Sequence, residues 1–436
     1  MSNLDIGIIG TLIALAMIAL RVPIGISLGL VSIGGIAAMF NVNVALGMIS
    51  ATPFEYVGQW ELTAAPMFLL MGFICSSTNM TKGLFEALRL YLAKLPGGLA
   101  IASVGACAFF AAAAGSSVAT ASAMSRIAVP EMLRNNYDKG LATGTIAASG
   151  TLGSLIPPSV LLILYGVYAK VSVGQLFMAG FIPGVLSALV YMGMIMARVK
   201  LKPSLAGSVV INPTKEEKRA ALKTIWPLPV LIFSVLGGIF SGVFSPTEAG
   251  AIGASVAAVI AAVRGTLTWH AIKNSLRDTI VAATGIFVIL IGSVFFTRFL
   301  ALSGLPAAFS DSILSVSSEP WWIFLAVTVI YVVLGMLIDS IGLLLLTLPL
   351  ILPLVSSAGL DPIWFGIILI KLLEIGLVTP PVGLNVYMIK GALGNLVTLP
   401  EVFRGVGWFI AMDFLTLLIL MLFPILSLWL PTLAYR

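Results

Sequence analysis

Charge is scarce in this sequence. Only 9% of its 436 residues are charged while 60% are hydrophobic, and mean hydropathy is +1.13; soluble domains carry about 25% charged residues. A soluble protein is thereby excluded, and apolar runs long enough to cross a bilayer recur from end to end. Histidine is scarcer still. His270 stands alone in the basic connector "VRGTLTWHAIKNSLRD", which excludes a histidine-built metal or catalytic site and leaves an interfacial residue. Cys75 and Cys107 lie in apolar context and read as small buried hydrophobes, silent about redox compartment. No HExxH, G-x-S-x-G elbow, nucleophile–histidine pairing or phosphate loop occurs, so neither hydrolytic nor ATP chemistry has a carrier. The short alternating segments of a membrane barrel are missing too. What remains is an all-α integral membrane protein.

The net charge of +6 is spread over many short loops and forms no single patch, so it reports topology and not nucleic-acid binding. With Arg21 on the cytoplasmic side, most of the 23 Lys and Arg residues fall on that side only if two segments enter and leave the membrane on the same face. Pro96 to Pro130, with basic loops at both ends, dips in from inside; Pro320 to Leu354, flanked by Asp311, Glu319 and Asp361, dips in from outside. Ile6 to Leu20 has no basic leader and no small-residue cleavage site, so it is expected to be a retained helix. Residues 41–61, with Pro53, Glu55, Trp60 and Glu61, are expected to lie along the outer interface. The longest polar stretch, about Lys200 to Lys223, reads as a linker.

The chain contains a copy of itself. A shift of 223 positions superposes Ser117 on Ser340, Pro130 on Pro353, Gly153 on Gly376, and Pro157 and Pro158 on Pro380 and Pro381. Because the charge pattern gives the two copies opposite orientations, the repeat is expected to be inverted.

Four breaks interrupt these apolar runs: two hairpin tips, near Ser116 and Asp339, and two Pro-Pro steps. A break in hydrocarbon costs several kcal/mol per unpaired backbone group, so it persists only where protein or a water-filled cavity receives it. Proline donates no hydrogen bond, so Pro157 and Pro158 free the carbonyls of Gly153 and Ser154, and Pro380 and Pro381 those of Gly376 and Leu377. Carbonyls and hydroxyls together make a hard oxygen cage suited to a small cation, with sodium the natural candidate. Ser116, Ser117 and Thr120 would complete one cage, and Asp339, Ser340 and Thr379 the other. The serines serve equally as small residues for close helix packing, and the Pro-Pro steps as plain kinks. Asp339, at a hairpin tip, reads as a ligand or substrate-site residue, against a structural ion pair. Arg298 meets a substrate carboxylate or snorkels at the outer span end. Lys371 and Glu374, three apart, are expected to pair on one helix face. Arg126, Glu131 and Asp413 read as structural.

At "AAAAGSSVATASAM", "GTLGSLIPPS" and "IGLVTPPVGLNVY" the sequence resembles the large membrane subunit, of the DctM type, of tripartite ATP-independent periplasmic (TRAP) transporters. The resemblance covers nearly the whole chain. It implies the sodium-driven transport subunit of a bacterial inner-membrane system, to which a periplasmic binding protein delivers an organic acid anion. A separate small four-helix membrane subunit would brace the scaffold, and this chain would be an unfused large subunit. The implied motion is an elevator: residues 96–173 and 320–404 slide as a transport domain past scaffold residues 1–95, 174–319 and 405–436. The implied sodium ligands are Ser116, Ser117, Gly153 and Pro157 on one side and Asp339, Gly342, Gly376 and Thr379 on the other, with Ser116, Asp339 and Arg298 toward substrate. The second tip, "DSIGLLLL", is poorer in hydroxyls than the first. A stand-alone sodium/dicarboxylate symporter of the same hairpin plan is the other reading, but such carriers have Ser-Asn-Thr tips where this sequence has Gly-Ser-Ser and Asp-Ser.

Overall fold

Long apolar runs without β-branched alternation fold here as helices, and each start or stop has a local chemical cause. The computed structural model describes residues 1–207, 213–316 and 319–434. In the first half these are α1 (Asn3–Ala19), α2 (Ile24–Met39), α3 (Val42–Val57), α4 (Ala64–Ser77), α5 (Met80–Tyr91), α6 (Gly98–Ala114), α7 (Ser117–Arg134), α8 (Lys139–Gly150), α9 (Leu152–Leu155), α10 (Val160–Ala169) and α11 (Val173–Leu201). After α12 (Lys215–Ile225) come α13 (Pro227–Phe240), α14 (Pro246–Val263), α15 (Trp269–Ser303), α16 (Leu305–Val316), α17 (Pro320–Gly335) and α18 (Ser340–Ser357). The chain ends in α19 (Pro362–Val378), α20 (Leu384–Leu393), α21 (Leu399–Leu422) and α22 (Ile425–Ala434). No strand occurs among the described residues.

The internal copy is visible in the element boundaries. The shift that superposes Ser117 on Ser340 carries both ends of α7 onto both ends of α18, places α1 and α2 on α13 and α14, and sets α10 on α20 and α11 on α21. Capping follows the sequence. Ser2 with Asp5, Thr214 with Glu217, Ser245 with Glu248 and Thr398 with Glu401 form reciprocal capping boxes at the starts of α1, α12, α14 and α21. Glycine stops α6: Gly115, at φ 61°, turns left-handed and donates its N–H to Ala111 at 3.0 Å.

Seven stretches are long and apolar enough to cross a membrane, among them Lys139–Ala169, Val173–Leu201, Trp269–Ser303 and Leu399–Leu422; the pair α12–α13, bent by 40°, makes an eighth if counted as one span. At about 1.5 Å per residue, the 35 residues of α15 exceed a hydrocarbon core of about 30 Å. His270 is exposed at the start of that helix. The expected interfacial arm is helical as α3, with Pro53 inside it; the side chain of Glu55 lies outside the described residues. Of the expected linker, α11 takes the first residues and α12 the last, while residues 208–212 lie outside the described set.

Burial distinguishes the centre from the rim. Every residue of α8 from Gly140 to Gly150, and of α19 from Trp364 to Val378, is buried, as is most of α6. Hydroxyl and charged side chains inside a membrane need protein partners and not lipid, and α8, with Thr143, Thr145 and Ser149, and α19, with Lys371 and Glu374, carry or flank the breaks. α11 and α21 pack against α19, and α21 against α8.

Candidate functional site

The first break is held against the first tip. α9 ends at Leu155 and α10 resumes at Val160, its start capped by Ser159. Ser116, in extended conformation, follows Gly115 and precedes α7. Gly115 O accepts from Val160 N at 3.1 Å, so the tip is bonded directly to the restarting helix. On the other side, a Cβ on Gly153 would stand 2.6 Å from Ser116 O and 2.8 Å from Thr120 Oγ1. Only glycine permits that approach. Ser117 Oγ lies 2.7 Å from Ser154 Oγ, and Thr120 donates to Ser116 O at 2.9 Å.

The second half repeats the plan with different chemistry. α17 stops at Gly335, α18 starts at Ser340, and a Cβ on Gly376 would stand 2.7 Å from Gly335 Cα. Asp339 caps α18, its carboxylate accepting from Gly342 N at 3.0 Å, and forms no ion pair among the described residues. Thr379 donates to Ile375 O at 2.6 Å. Pro157 and Pro158 are buried whereas Pro380 and Pro381 are exposed, so protein encloses the first break and the second reaches the surface. Asn385 on α20 reaches across the repeat to donate to Ala147 O at 3.3 Å.

The halves meet at a cavity of about 80 Å³ lined by Ser116, Ser117, Ser154, Asp339, Ser340 and Glu374, together with apolar neighbours. At its centre is Glu374, 2% exposed: Ser117 donates to its Oε2 at 2.5 Å and Ser340 to its Oε1 at 3.5 Å. The expected Lys371–Glu374 pair is therefore absent. Lys371 instead donates to Asp413 Oδ1 at 2.5 Å and to Ser187 at 3.3 Å, and Tyr191 donates to the same carboxylate. Positions three apart on a helix diverge enough in direction to be claimed by different neighbours, here α7 and α18 for Glu374, α11 and α21 for Lys371. Asp413 is structural in the sense expected, and Glu131 is paired with Arg89; Arg126 is exposed.

Of the residues expected at the cation sites, Ser116, Ser117, Ser154, Asp339 and Ser340 line this cavity, while Thr120 does not. Gly153 backs the first tip, Gly376 backs the second hairpin, Gly342 receives the Asp339 cap, and Pro157 and Thr379 stand in the breaks. Arg298 lies apart from Ser116 and Asp339. It lines a larger cavity of about 1130 Å³ with Lys170, Glu61, Trp60, Tyr168 and Thr297. α10 runs between the two cavities, with Val160 and Leu161 at the small one and Gly166 to Tyr168 at the large one. Sequence reasoning named Ser154 for its carbonyl and not for the hydroxyl that meets Ser117, and it did not place Glu374 at the cavity. The available signal for Glu374 was its charge inside a span, two residues before the Gly376 of the repeat.

The oxygens lining the cavity are hydroxyl and carboxylate; the Gly376 carbonyl, expected to be freed by Pro380, accepts from Thr379 N at 3.2 Å and keeps one lone pair to offer. No group of three or more His, Cys, Asp or Glu that could hold a metal ion occurs among the described residues. Such a donor set suits a hard, weakly held cation and not a transition metal.

A doubled set of helices, each copy carrying a tip and a broken helix, meeting at one small cavity where hydroxyls and carboxylates stand among apolar side chains, in a chain rich in membrane-spanning helices, is the plan of a membrane transport protein. The chain belongs to the family described as tripartite ATP-independent periplasmic transporter, DctM component, which matches residues 11–426. It is 32% identical over 444 residues to the C4-dicarboxylate TRAP transporter large permease protein DctM of Vibrio cholerae, covering 97% of this chain and 96% of that one. It is 31% identical to the sialic acid TRAP transporter large permease protein SiaM of the same organism, covering 86% and 87%. Among solved structures, MtrF of Neisseria gonorrhoeae is similar in fold at a TM-score of 0.58 and 14% identity, covering 87% of this chain and 84% of that one. The chain is thus a large permease subunit of a TRAP transporter, a transport component and not an enzyme. That membership sets aside the stand-alone symporter.

Proposed function

We propose that this subunit imports an organic acid anion across the bacterial inner membrane, driven by sodium. A periplasmic binding protein delivers the anion and a small four-helix membrane subunit braces the scaffold. The observation that carries the reading is the meeting of both tips and both broken helices around one buried oxygen-rich cavity. Oxygens fixed by strained or broken backbone bind a small cation without reorganising, and the ion in turn ties tip to broken helix.

The anion is of the C4-dicarboxylate or sialic acid class, in line with the names of the relatives. Arg298 and Lys170 support this by bringing two positive side chains to the large cavity, which α10 separates from the tips. The repeat supports an elevator in which the tips and breaks, within residues 96–173 and 320–404, move as one body. Sodium at Ser116, Ser117 and the Gly153 carbonyl on one side, and at Asp339, Gly376 and Thr379 on the other, locks that body for movement.

Co-reconstitution of the chain with its small subunit in proteoliposomes, with binding protein outside, tests this. Labelled carboxylate should accumulate only with an inward sodium gradient and only with the binding protein. Accumulation without sodium refutes the coupling, and accumulation by the chain alone refutes the tripartite delivery.

A further inference from the structure

The internal repeat duplicates the breaks but not the charge between them. Glu374 of α19 corresponds, under the shift that superposes Gly153 on Gly376, to Thr151. One carboxylate therefore faces both tips, with one oxygen for each: Oε2 holds Ser117 at 2.5 Å and Oε1 stands 3.5 Å from Ser340. Ser117 is joined in turn to Ser154 of the first broken helix. These partners are hydroxyls, and the neighbouring cation Lys371 is committed to Asp413. A buried carboxylate served by hydroxyls alone is short of positive charge, which a bound cation supplies.

We propose that Glu374 is the positioning residue that couples the two sodium sites. Two physical effects act together. Hydroxyls that donate their protons to Glu374 turn oxygen lone pairs toward the cavity, where a cation takes them. A negative charge lying between two cations also offsets their mutual repulsion, which is strong away from water. The contact to Ser117 is made and that to Ser340 is at its outer limit, and the proposed order of events builds on that asymmetry. Sodium at the first tip fixes Ser117, Ser117 fixes the carboxylate, and the carboxylate then presents Oε1 to Ser340 as the second tip closes. The second ion binds to a partner already ordered, so binding is positively cooperative.

The proposal rests on the sodium-driven reading, and the experiment separates the two. Sodium activation of carboxylate uptake is measured in the complete reconstituted system at saturating carboxylate, with sodium-dependent thermal protection of the purified chain as a direct binding readout. Wild type should show a Hill coefficient well above 1. In Glu374→Gln the sodium needed for half-activation should rise about tenfold or more, within the about 5–150-fold range of allosteric couplings, and the Hill coefficient should fall toward 1. Glu374→Asp, which keeps the charge, should recover part of both. Half-saturation by carboxylate, read at saturating sodium, should move far less. Ser340→Ala, which leaves the Ser117 contact in place, should lower the Hill coefficient as well and stands in if Glu374→Gln does not accumulate. A wild-type Hill coefficient of 1, or variants with unaltered sodium curves, overturns the coupling role and leaves sodium drive standing; uptake indifferent to sodium overturns both.

Discussion

Cutting the ion pair between Lys371 and Asp413 from one side should destabilise the protein severely. The two side chains are 2% and 1% exposed and meet at 2.5 Å, joining α19 to α21. Removing one partner of such a pair costs about 3–5 kcal/mol, because the remaining charge stays buried without compensation. The two ends are not alike. After Asp413→Asn, the Lys371 ammonium keeps Ser187 at 3.3 Å and the Tyr191 ring at 5.6 Å. After Lys371→Met, the Asp413 carboxylate keeps only Tyr191 on Oδ1, and its Oδ2 has no partner even in the intact protein. Lys371→Met should therefore be the more damaging change, and the double variant Lys371→Met/Asp413→Asn should cost clearly less than the sum, with a coupling on the order of 2 kcal/mol.

Reversible unfolding in mixed micelles, by a stepwise increase of denaturing detergent, gives these differences from the four proteins of the cycle. The reasoning is refuted if either single change costs under about 1 kcal/mol, below the range for a broken buried pair, or if the double change equals the sum of the two. The cycle also decides between pairings. If Lys371 served Glu374 along one helix face, Glu374→Gln would carry the stability cost; the pairing observed with Asp413 puts that cost on Lys371→Met and Asp413→Asn instead.

Three further outcomes follow from the same geometry. Ser117→Ala should raise the sodium requirement of uptake more than the carboxylate requirement, since it removes a hydroxyl shared by Ser154 and Glu374; unaltered sodium activation would remove Ser117 from the cage. Asp339→Asn should abolish uptake while the protein still reaches the membrane, because Asn caps a helix about as well as Asp; transport at the wild-type rate would confine Asp339 to its capping bond with Gly342. Gly153→Ala pushes a methyl to within 2.6 Å of Ser116 O and should separate the first tip from its broken helix, which a loss of uptake at normal membrane abundance would report and normal uptake would disprove.

Where the sequence was readable, the cause was local. Single prolines such as Pro53 and Pro130 are carried inside α3 and α7, but two in succession remove adjacent donors, and α9 and α19 do stop just short of Pro157 and Pro380. Gly115 turns left-handed because nothing on its Cα forbids it. The copy was readable for the same reason, since like residues produce like breaks at matched positions. What was hidden depends on partners distant in the chain. Glu374 meets Ser117 across 257 positions and Lys371 meets Asp413 across 42, whereas the three-residue spacing of Lys371 and Glu374 offered a nearer and incorrect partner. Arg298 was legible as a charge near a span end, but its placement in the large cavity depends on how α15 lies against α10.

The hydroxyl-poor second tip had a puzzling place in a repeat, because a cation cage copied from the first half should copy its ligands. The structure resolves this by pooling. The first half brings Ser116, Ser117 and Ser154 to the cavity and no charge; the second brings Ser340 and both carboxylates, Asp339 and Glu374. Each half thus brings to the cavity what the other lacks, and on the proposed sodium reading the two sites would lean on each other through Glu374. Duplication supplied the backbone device twice, and divergence then divided the side-chain work. On the proposed sodium coupling, that division would make the binding of each ion sensitive to how closely the tips meet, so that sodium would favour the arrangement in which they stand together.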